Sequence, residues 1–392
     1  MVRYKPVFDP VKPLLANIIL TTLCLLAAER SGRAENTLDE VLPIRGMCIA
    51  APNPSQVDSF VSFIAQELAT RSLNTLILRV DYNYQYTSHP ELSNPSGLSS
   101  ADVKKLVVVC RTNHIRLIPQ LNLLGHQSWQ RSNGKLLQVY PEFDETPWVK
   151  VPERYAWPNP DGLYCRSYCP LHPKVHEVVF SLVDELCDVF ETDAFHAGMD
   201  EVFYIGESKC PRCGGKDKAE LFAKEVTLIR DHLKTKQRRL WIWGDRLLDA
   251  RLTGMGEWEA SSNGTARAIG LIPKDVLICD WHYERADLSP VCFAMNGLGV
   301  VSCPWKNPNA ALRQLQDMTR FREQATPVMK PRFQGIVQTV WSDAGSFLKD
   351  YYGHRNGADY KSGQKDAARC FIELFDAIQS LKREPADELP KR

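Results

Sequence analysis

The stretch Ala194-Phe195-His196-Ala197-Gly198-Met199-Asp200-Glu201-Val202 places two adjacent carboxylates directly after a short apolar run. The pattern predicts a buried β-strand that begins at Ala194 and leads into a loop through Gly198, since glycine accepts backbone angles and close approaches that other residues do not. Acidic side chains are seldom buried without a partner or a task. We therefore interpret Asp200 and Glu201 as candidate site residues.

Seven further apolar stretches have the same form, and most of them are followed by a helix pattern. These stretches begin at Arg45, Asn74, Ile115, Leu240, Val276, Gly299 and Gly335. Eight strands that alternate with helices predict an α/β fold, a single (β/α)8 TIM barrel, with an open doubly wound sheet as the alternative. No Gly-rich phosphate-binding turn follows the first strand, which argues against the open sheet.

The connection after the third strand, from about Gln127 to His172, is the longest irregular stretch in the sequence. Loops of this length usually carry function or are disordered. The aromatic content of this one predicts an ordered lid, and its aromatic residues include Trp129, Trp148, Tyr155, Trp157 and Tyr164.

Composition limits the possible functions. The chain has 392 residues, with 48 basic and 47 acidic side chains and a formal net charge of +1. Such a balance gives no field that would gather nucleic acid or an acidic membrane surface, so we predict neither as a partner. Hydrophobic residues make up 44% of the chain, which is enough for the core of one large barrel domain.

The N-terminus has the pattern of an export signal. Basic residues precede an apolar run from Leu14 to Ala28, and the small-residue site Gly32-Arg33-Ala34 follows. We predict that residues 1–34 are a signal peptide or N-terminal anchor and that residues 35–392 form the barrel domain. The protein would then be exported, either periplasmic or extracellular, and an uncleaved segment would anchor it to the membrane. The apolar run is shorter than the ~20 residues of a spanning helix.

Twelve cysteines bear on the compartment. Cys24 lies in the export segment, which leaves an odd number, eleven, for the rest of the chain. Two pairs lie in polar loops, Cys165-x3-Cys169 and Cys210-x2-Cys213. These pairs are compatible with a structural zinc site, with one or two disulfides, or with free thiols.

In a barrel, the carboxyl ends of all the strands meet at one mouth. Aromatic and acidic residues collect after strands three to eight: His126, Asp200, Glu201, Trp243, Asp245, Trp281, Tyr283, Trp305, Trp341 and Asp343. Aromatic walls with carboxylates suit a sugar. Glycoside cleavage ordinarily uses two carboxyl groups, one on each side of the scissile bond. Adjacent residues on a strand point in opposite directions, so we expect one member of the acidic pair to have another role.

The motif His196-x-Gly198-x-Asp200-Glu201 resembles the His-x-Gly-Gly-Asp-Glu signature of glycoside hydrolase family 20, the exo-acting β-N-acetylhexosaminidases. Met199 stands where the signature has its second glycine. Two other motifs resemble strand ends of that family, Ile118-Pro119 with Gly125-His126 and Trp341-x-Asp343. The stretch from His196 to Tyr204, together with Trp243-x-Asp245, is most similar to the hexosaminidase D branch. The likeness covers about residues 45 to 345.

This resemblance implies a retaining exo-hexosaminidase that removes terminal N-acetyl-hexosamine residues from a carbohydrate. The mechanism would be substrate-assisted, through an oxazolinium intermediate: Glu201 as acid/base and Asp200 orienting the 2-acetamido group. This arrangement is the exception to the two-carboxylate rule. The resemblance implies no cofactor and no metal.

The resemblance also gives roles to other residues. Trp243, Trp281 and Trp341 would line the sugar pocket, and His126 would lie near the acidic pair. Asp343 would bind sugar hydroxyls, with a helix cap as its ordinary alternative. The family's acetamido-binding tyrosine falls at Lys306, and Tyr283 is the candidate substitute. The remaining substrate-binding candidates are Asp245 and Arg45, the latter in the place of the family's sugar-binding arginine.

Two other functions stay open. The tyrosine position occupied by Lys306 is compatible with a carbohydrate-binding barrel that lacks catalysis. A metal-dependent hydrolase would use His126, His196 and Asp200, although the sequence has no compact ligand motif for one.

Overall fold

The computed structural model describes residues 37–129, 132–150, 165–357 and 365–381. The predicted signal segment with Cys24 lies outside these ranges, as do Tyr155, Trp157 and Tyr164 of the third loop. Export therefore stays a prediction. Within the described ranges, no helix combines the length and the apolar character needed to cross a bilayer.

Eight parallel strands close into a barrel, which confirms the predicted fold. The strands are β1 (Ile44–Ala50), β2 (Thr75–Arg79), β3 (Arg116–Leu123), β4 (Ala194–Gly198), β5 (Arg239–Trp243), β6 (Leu277–Asp280), β7 (Gly299–Ser302) and β8 (Phe333–Val340). Each strand pairs with its neighbours in sequence, and β1 pairs with β8 to complete the ring. All eight carboxyl ends consequently lie at one mouth.

The helices surround the strands. They are α1 (Val57–Phe63), α2 (Ser100–Thr112), α3 (Val175–Val189), α4 (Lys218–Thr235), α5 (Ser289–Met295), α6 (Pro308–Gln324), α7 (Ala344–Arg355) and α8 (Ala367–Ser380). A π-helical turn, Ile64–Leu68, continues α1. After β5 the chain forms three short helices instead of one long one, Ala250–Thr253, Gly256–Glu259 and Ala268–Leu271.

The core has two layers, as the barrel architecture requires. The larger layer lies between strands and helices, where α3 buries the face that carries Val175, Val179 and Leu182. A smaller layer fills the barrel interior and includes Ile77, Ile118, Trp241, Leu277 and Val337. Burial of each large apolar side chain contributes about 1.5–3 kcal/mol, so both layers stabilise the ring on which the site is built.

The loop after β3 is ordered in its described part. It contains a short hairpin of Ser128–Trp129 with Ser132–Asn133, a helix at Lys135–Val139 and a 3-10 turn at Pro141–Phe143. Leu136, Phe143 and Tyr168 of this loop are buried in the core. These buried side chains hold the described part of the loop against the core, beside the loop that follows β4.

Candidate active site

The acidic pair lies just beyond the end of β4. The strand ends at Gly198, and the backbone then turns with positive φ at Gly198 (67°), Met199 (68°) and Glu201 (49°). A Cβ at Gly198 would lie 2.1 Å from Oδ1 of Asn122, so only glycine fits there. The expectation that Asp200 and Glu201 point in opposite directions assumed that they lie on the strand. Strand alternation does not apply to this turn.

Both carboxylates instead reach one histidine. His126 Nε2 lies 3.1 Å from Oδ2 of Asp200 and 3.2 Å from Oε2 of Glu201. The three side chains are 16%, 11% and 13% exposed, respectively, so they are largely screened from water while remaining at the surface of the mouth. We call this group the carboxylate–histidine site. Trp129, an exposed ring of the third loop, stacks on His126 at a centroid distance of 6.2 Å.

The two carboxyl groups have opposite pKa shifts. Burial raises the pKa of Asp200, but the charge and hydrogen bond of His126 outweigh burial and leave this pKa lowered. Burial raises the pKa of Glu201, and the charges of Asp200 and Asp245 add to that rise against the opposing effect of His126. Burial lowers the pKa of His126, yet Asp200 and Cys165 raise it well above its usual value. The arrangement favours an ionised Asp200, a charged His126 and a protonated Glu201.

One acceptor at this site is unsatisfied. Oδ1 of Asp200 is buried and has no hydrogen-bond partner from another residue in the described part of the chain. Buried polar atoms are nearly always paired, and the exceptions concentrate at functional sites. Oδ1 is thus free to accept a hydrogen bond from a ligand.

Asp245 supports the loop that carries Glu201, while its substrate-binding role stays a prediction. Its Oδ2 accepts the backbone N–H of Glu201 at 2.9 Å and Nε of Arg246 at 2.6 Å. Its Oδ1 accepts the indole N–H of Trp281 at 3.3 Å. Arg246 also donates to three backbone carbonyls, and this network holds Glu201 in its turn.

An aromatic wall stands beside the acidic pair. Trp281 stacks on Tyr283 at 5.0 Å, Tyr283 meets Trp305 edge to face at 5.3 Å, and Trp341 donates its indole N–H to the Tyr283 hydroxyl at 2.9 Å. Burial raises the pKa of Tyr283 well above its usual value, and the charges of Asp200 and Glu201 add to this rise, so the hydroxyl stays protonated near the pair. Trp243 is fully buried and packs below this wall, 5.9 Å from the ring of Trp341.

Two predicted site residues lie elsewhere. Asp343 is exposed and caps α7, with both carboxylate oxygens bonded to Ser346, so the helix-cap alternative describes it. Arg45 lies at the amino end of β1, at the opposite end of the barrel from the mouth. Its guanidinium donates to the carbonyls of Leu42 and Ser72 and stabilises the fold there.

Arg79 is a mouth residue that the sequence analysis missed. It is the last residue of β2, its Nη2 donates to the carbonyl of Val340 at 3.0 Å, and its guanidinium lies 4.6 Å above the ring of Trp341. Its Nε is buried and has no hydrogen-bond partner among the described residues. Its position as a charged residue at the carboxyl end of a barrel strand is the signal that could have identified it.

Lys306 contacts the aromatic wall. The Lys306 ammonium lies 4.0 Å above the ring of Trp305 as a cation–π contact. The phenol at the wall comes from Tyr283 on the neighbouring strand end.

Of the three ligands in the metal-dependent hypothesis, His126 and Asp200 lie close together and His196 does not join them. The ligand atoms of His126, Asp200 and Glu201 lie within 4.8 Å of one another. His196, the remaining predicted ligand, packs against Trp243 at 4.5 Å, and its Nδ1 accepts the N–H of Gly198. His196 therefore helps to shape the turn and does not join the other two.

The chain resembles known proteins in sequence and in fold. The model of the glycosyl hydrolase family 20 catalytic domain matches residues 70–343. A Beta-hexosaminidase of Akkermansia muciniphila is 29% identical over 162 residues, which are 37% of this chain and 29% of that protein. Beta-hexosaminidase 1 of Coccidioides posadasii is 23% identical over 297 residues, 68% of this chain and 46% of that protein. A Lacto-N-biosidase of Bifidobacterium bifidum is 24% identical over 209 residues, 50% of this chain and 16% of that protein.

Each of these matches spans less than half of the relative's length. Among solved structures, a β-N-acetylhexosaminidase from Bacteroides fragilis aligns with a TM-score of 0.55 and 16% identity, covering 87% of this chain and 70% of that one. An exo β-N-acetylglucosaminidase from Vibrio harveyi aligns with a TM-score of 0.54 and 15% identity, covering 87% and 58%. These structural likenesses show the fold, while the likeness to the hexosaminidase D branch stays a prediction. Because the family model covers well over half of the chain, this protein belongs to glycosyl hydrolase family 20.

Proposed function

We propose that the protein is an exo-acting, retaining β-N-acetylhexosaminidase that removes terminal N-acetyl-hexosamine residues by substrate-assisted catalysis. The observation that carries this proposal is the carboxylate–histidine site, in which His126 contacts two carboxyl groups whose pKa values are shifted in opposite directions. Enzymes separate the roles of acid and base in this way. The curated relatives named as hexosaminidases support the substrate class.

In the first step Glu201 donates its proton to the glycosidic oxygen, and the bond from that oxygen to the anomeric carbon breaks. The carbonyl oxygen of the substrate's own 2-acetamido group attacks the anomeric carbon and closes an oxazolinium ring. Asp200 accepts the acetamido N–H on its unsatisfied Oδ1 and stabilises the positive charge that develops on the ring. A raised pKa keeps the proton on Glu201 until it is needed.

In the second step Glu201, now ionised, takes a proton from water, and the water oxygen opens the ring at the anomeric carbon. Two displacements at the same carbon retain its configuration. The Asp245–Arg246 pair fixes the backbone of Glu201, so the carboxyl group serves both steps from one position.

The wall residues would hold the sugar. The C–H faces of the ring and the acetamido methyl stack on the indoles of Trp281 and Trp341. The Tyr283 hydroxyl donates to the acetamido carbonyl in place of the family tyrosine. Arg79, at the end of β2, binds hydroxyls of the terminal sugar, a role that the sequence had assigned to Arg45 and Asp343.

The test is a panel of aryl β-glycosides with and without the N-acetyl group, together with a thiazoline mimic of the cyclised intermediate as inhibitor. We expect turnover of the N-acetylated substrates alone and inhibition by the thiazoline. Glu201→Gln should lower kcat about 10²–10⁴-fold, because the acid is lost. Glu220→Gln, an exposed glutamate at the start of α4, is the matched control and should leave kcat unchanged.

Residual turnover near the wild-type rate in Glu201→Gln would contradict the assignment of the acid. Tight binding of N-acetyl-hexosamine by the wild type without hydrolysis would favour the carbohydrate-binding barrel instead.

A further inference from the structure

A second cluster of reactive side chains lies between the same two loops, away from the carboxylate–histidine site. It consists of Glu145, Cys169, Cys210 and Cys213, which we call the thiol cluster. Their ligand atoms all lie within 4.8 Å of one another. All four residues are buried, with exposed fractions of 0%, 0%, 4% and 0% in that order. We propose that the thiol cluster is a structural zinc site with three thiolate ligands and one carboxylate ligand.

The separation of two of the sulfurs fits a tetrahedral ion. The sulfurs of Cys169 and Cys210 are 3.6 Å apart, and the sulfur of Cys213 lies 2.8 Å from Oε1 of Glu145. Zinc–sulfur bonds of about 2.3 Å in a tetrahedron separate two sulfurs by about 3.8 Å. The observed separation of the two sulfurs is close to that value and far from the ~2.05 Å of a disulfide bond.

The backbone around each ligand is fixed before any ion binds. An antiparallel bridge pairs Asp144 with Tyr168, and the Cys169 N–H donates to the carbonyl of Phe143 at 2.7 Å, so the segments that carry Glu145 and Cys169 are held against each other. In the other loop, the Gly214 N–H donates to the carbonyl of Cys210 at 3.0 Å, and a Cβ on Gly214 would lie 2.6 Å from that carbonyl. Glycine is therefore required at this turn of the Cys-x2-Cys loop.

Backbone N–H groups are directed at the ligand atoms of the thiol cluster. The N–H groups of Arg212 and Cys213 are directed at the sulfur of Cys210, and that of Leu171 at the sulfur of Cys169. The Glu207 N–H donates to Oε1 of Glu145 at 3.0 Å. These donors orient the ligands and offset part of their negative charge.

An independent observation points to a cation. Oε2 of Glu145 is buried, and no group in the described part of the chain donates a hydrogen bond to it. An unpaired carboxylate oxygen in the interior is strongly unfavourable unless a charge compensates it. A divalent ion bound by this carboxylate would remove that cost.

Disulfide chemistry fits these residues less well than zinc does. The cluster holds three cysteines, so a disulfide between any two would leave one buried thiol against a carboxylate. Cys165, which the sequence grouped with Cys169, does not join the cluster, because its sulfur donates to the carbonyl of Glu201 at 3.6 Å. Glu145 takes the fourth position instead. Soft thiolate ligands in a closed four-coordinate set select zinc over magnesium or calcium.

The ion would fasten the loop after β3 to the loop after β4. These are the loops that carry His126 and Glu201, so the site would hold the mouth together without touching the substrate. Structural zinc contributes folding energy directly, since its binding free energy is available only in the folded chain.

The test is the zinc content of the full chain after dialysis, measured by mass spectrometry of the metal. We expect about one zinc per chain, and X-ray absorption should show three sulfurs at about 2.3 Å and one oxygen at about 2.0–2.2 Å. Cys213→Ser should lose the zinc and lower the unfolding midpoint by roughly 5–15 °C. Glu145→Gln should bind zinc more weakly than the wild type.

Cys187→Ala is the matched control, because Cys187 is an equally buried thiol on α3 and lies outside the cluster. It should keep its zinc. Absorption data on the wild type keep the proposal testable if Cys213→Ser does not fold. Zinc-free wild-type protein, a shell without three sulfurs, or a disulfide among Cys169, Cys210 and Cys213 would overturn the proposal.

Discussion

The loops after β3 and β4 meet in two places, and the chemistry of the two contacts differs. At the carboxylate–histidine site, a histidine from one loop contacts two carboxyl groups from the other, and all three side chains keep some exposure to the mouth. At the thiol cluster, a carboxylate and a thiol from one loop meet two thiols from the other, and the residues are sealed from water. The carboxylate–histidine site favours a charged His126 and Asp200 beside a protonated Glu201. At the thiol cluster, no group in the described part of the chain donates a hydrogen bond to Oε2 of Glu145.

We expect the carboxylate–histidine site to determine activity and the thiol cluster to determine stability. A change at the carboxylate–histidine site should alter turnover and leave the fold and the metal content intact. A change at the thiol cluster should release the metal and weaken the connection between the loops. The two contacts should therefore be independent, so that a change at one leaves the other intact.

Among three further variants, the largest effect is expected for Asp200→Asn. Asparagine keeps the size of the side chain but lacks the charge that stabilises the oxazolinium ring, so kcat on an aryl N-acetyl-β-glucosaminide should fall about 10²–10³-fold. The zinc content and the unfolding midpoint should stay close to those of the wild type. Kinetics on the N-acetylated substrate, metal analysis and thermal unfolding of the same preparation provide the measurement.

The control for Asp200→Asn is the wild type with an aryl glycoside that lacks the N-acetyl group. Its turnover should already be very low, so the variant should change it little. Loss of zinc from Asp200→Asn would show that the two contacts are coupled and would contradict their independence.

A smaller effect is expected for His126→Asn. The positive charge of His126 lowers the pKa of both Asp200 and Glu201, so its removal should raise both values. Activity needs Asp200 ionised and Glu201 protonated. The acidic and alkaline limbs of the kcat/KM profile should therefore both move to higher pH, which lowers kcat/KM on the acidic limb and raises it on the alkaline limb.

The chain offers a close control for this variant. His126 and His114 both have positive φ, 54° and 57°, a backbone region that asparagine accepts readily. His114→Asn lies away from the mouth and should leave the profile unchanged. Movement of the two limbs in opposite directions would refute the role given to the His126 charge.

The barrel was predictable from the sequence because each strand is a local apolar run with its own following helix. The acidic pair was predictable for the same reason, since Asp200 and Glu201 directly follow such a run. The prediction for Asp245 was incomplete, because the role of its carboxylate depends on Arg246 and on the backbone of Glu201, which approaches from another strand end. Whether a side chain at a strand end faces a ligand or the protein is decided by tertiary contacts.

The members of the thiol cluster were likewise only partly predictable from the sequence. The Cys-x2-Cys spacing identified Cys210 and Cys213, and a spacing rule also joined Cys165 to Cys169. The path of the third loop instead directs Cys165 at the carbonyl of Glu201 and brings Glu145 to the thiols. No local pattern marks Glu145, because the contact depends on how two loops fold against each other.

The smallest effect is expected for Cys165→Ala, which tests that distinction directly. Cys165 is buried, its sulfur contacts the carbonyl of Glu201 at 3.6 Å, and thiols are weak donors. Its loss should leave one zinc per chain, lower the free energy of unfolding by about 1 kcal/mol and change kcat/KM only a few-fold. Cys169→Ala, its neighbour in the spacing pattern, should lose the zinc under the same conditions. Zinc loss from Cys165→Ala would return Cys165 to the metal site and make the two contacts one continuous structure.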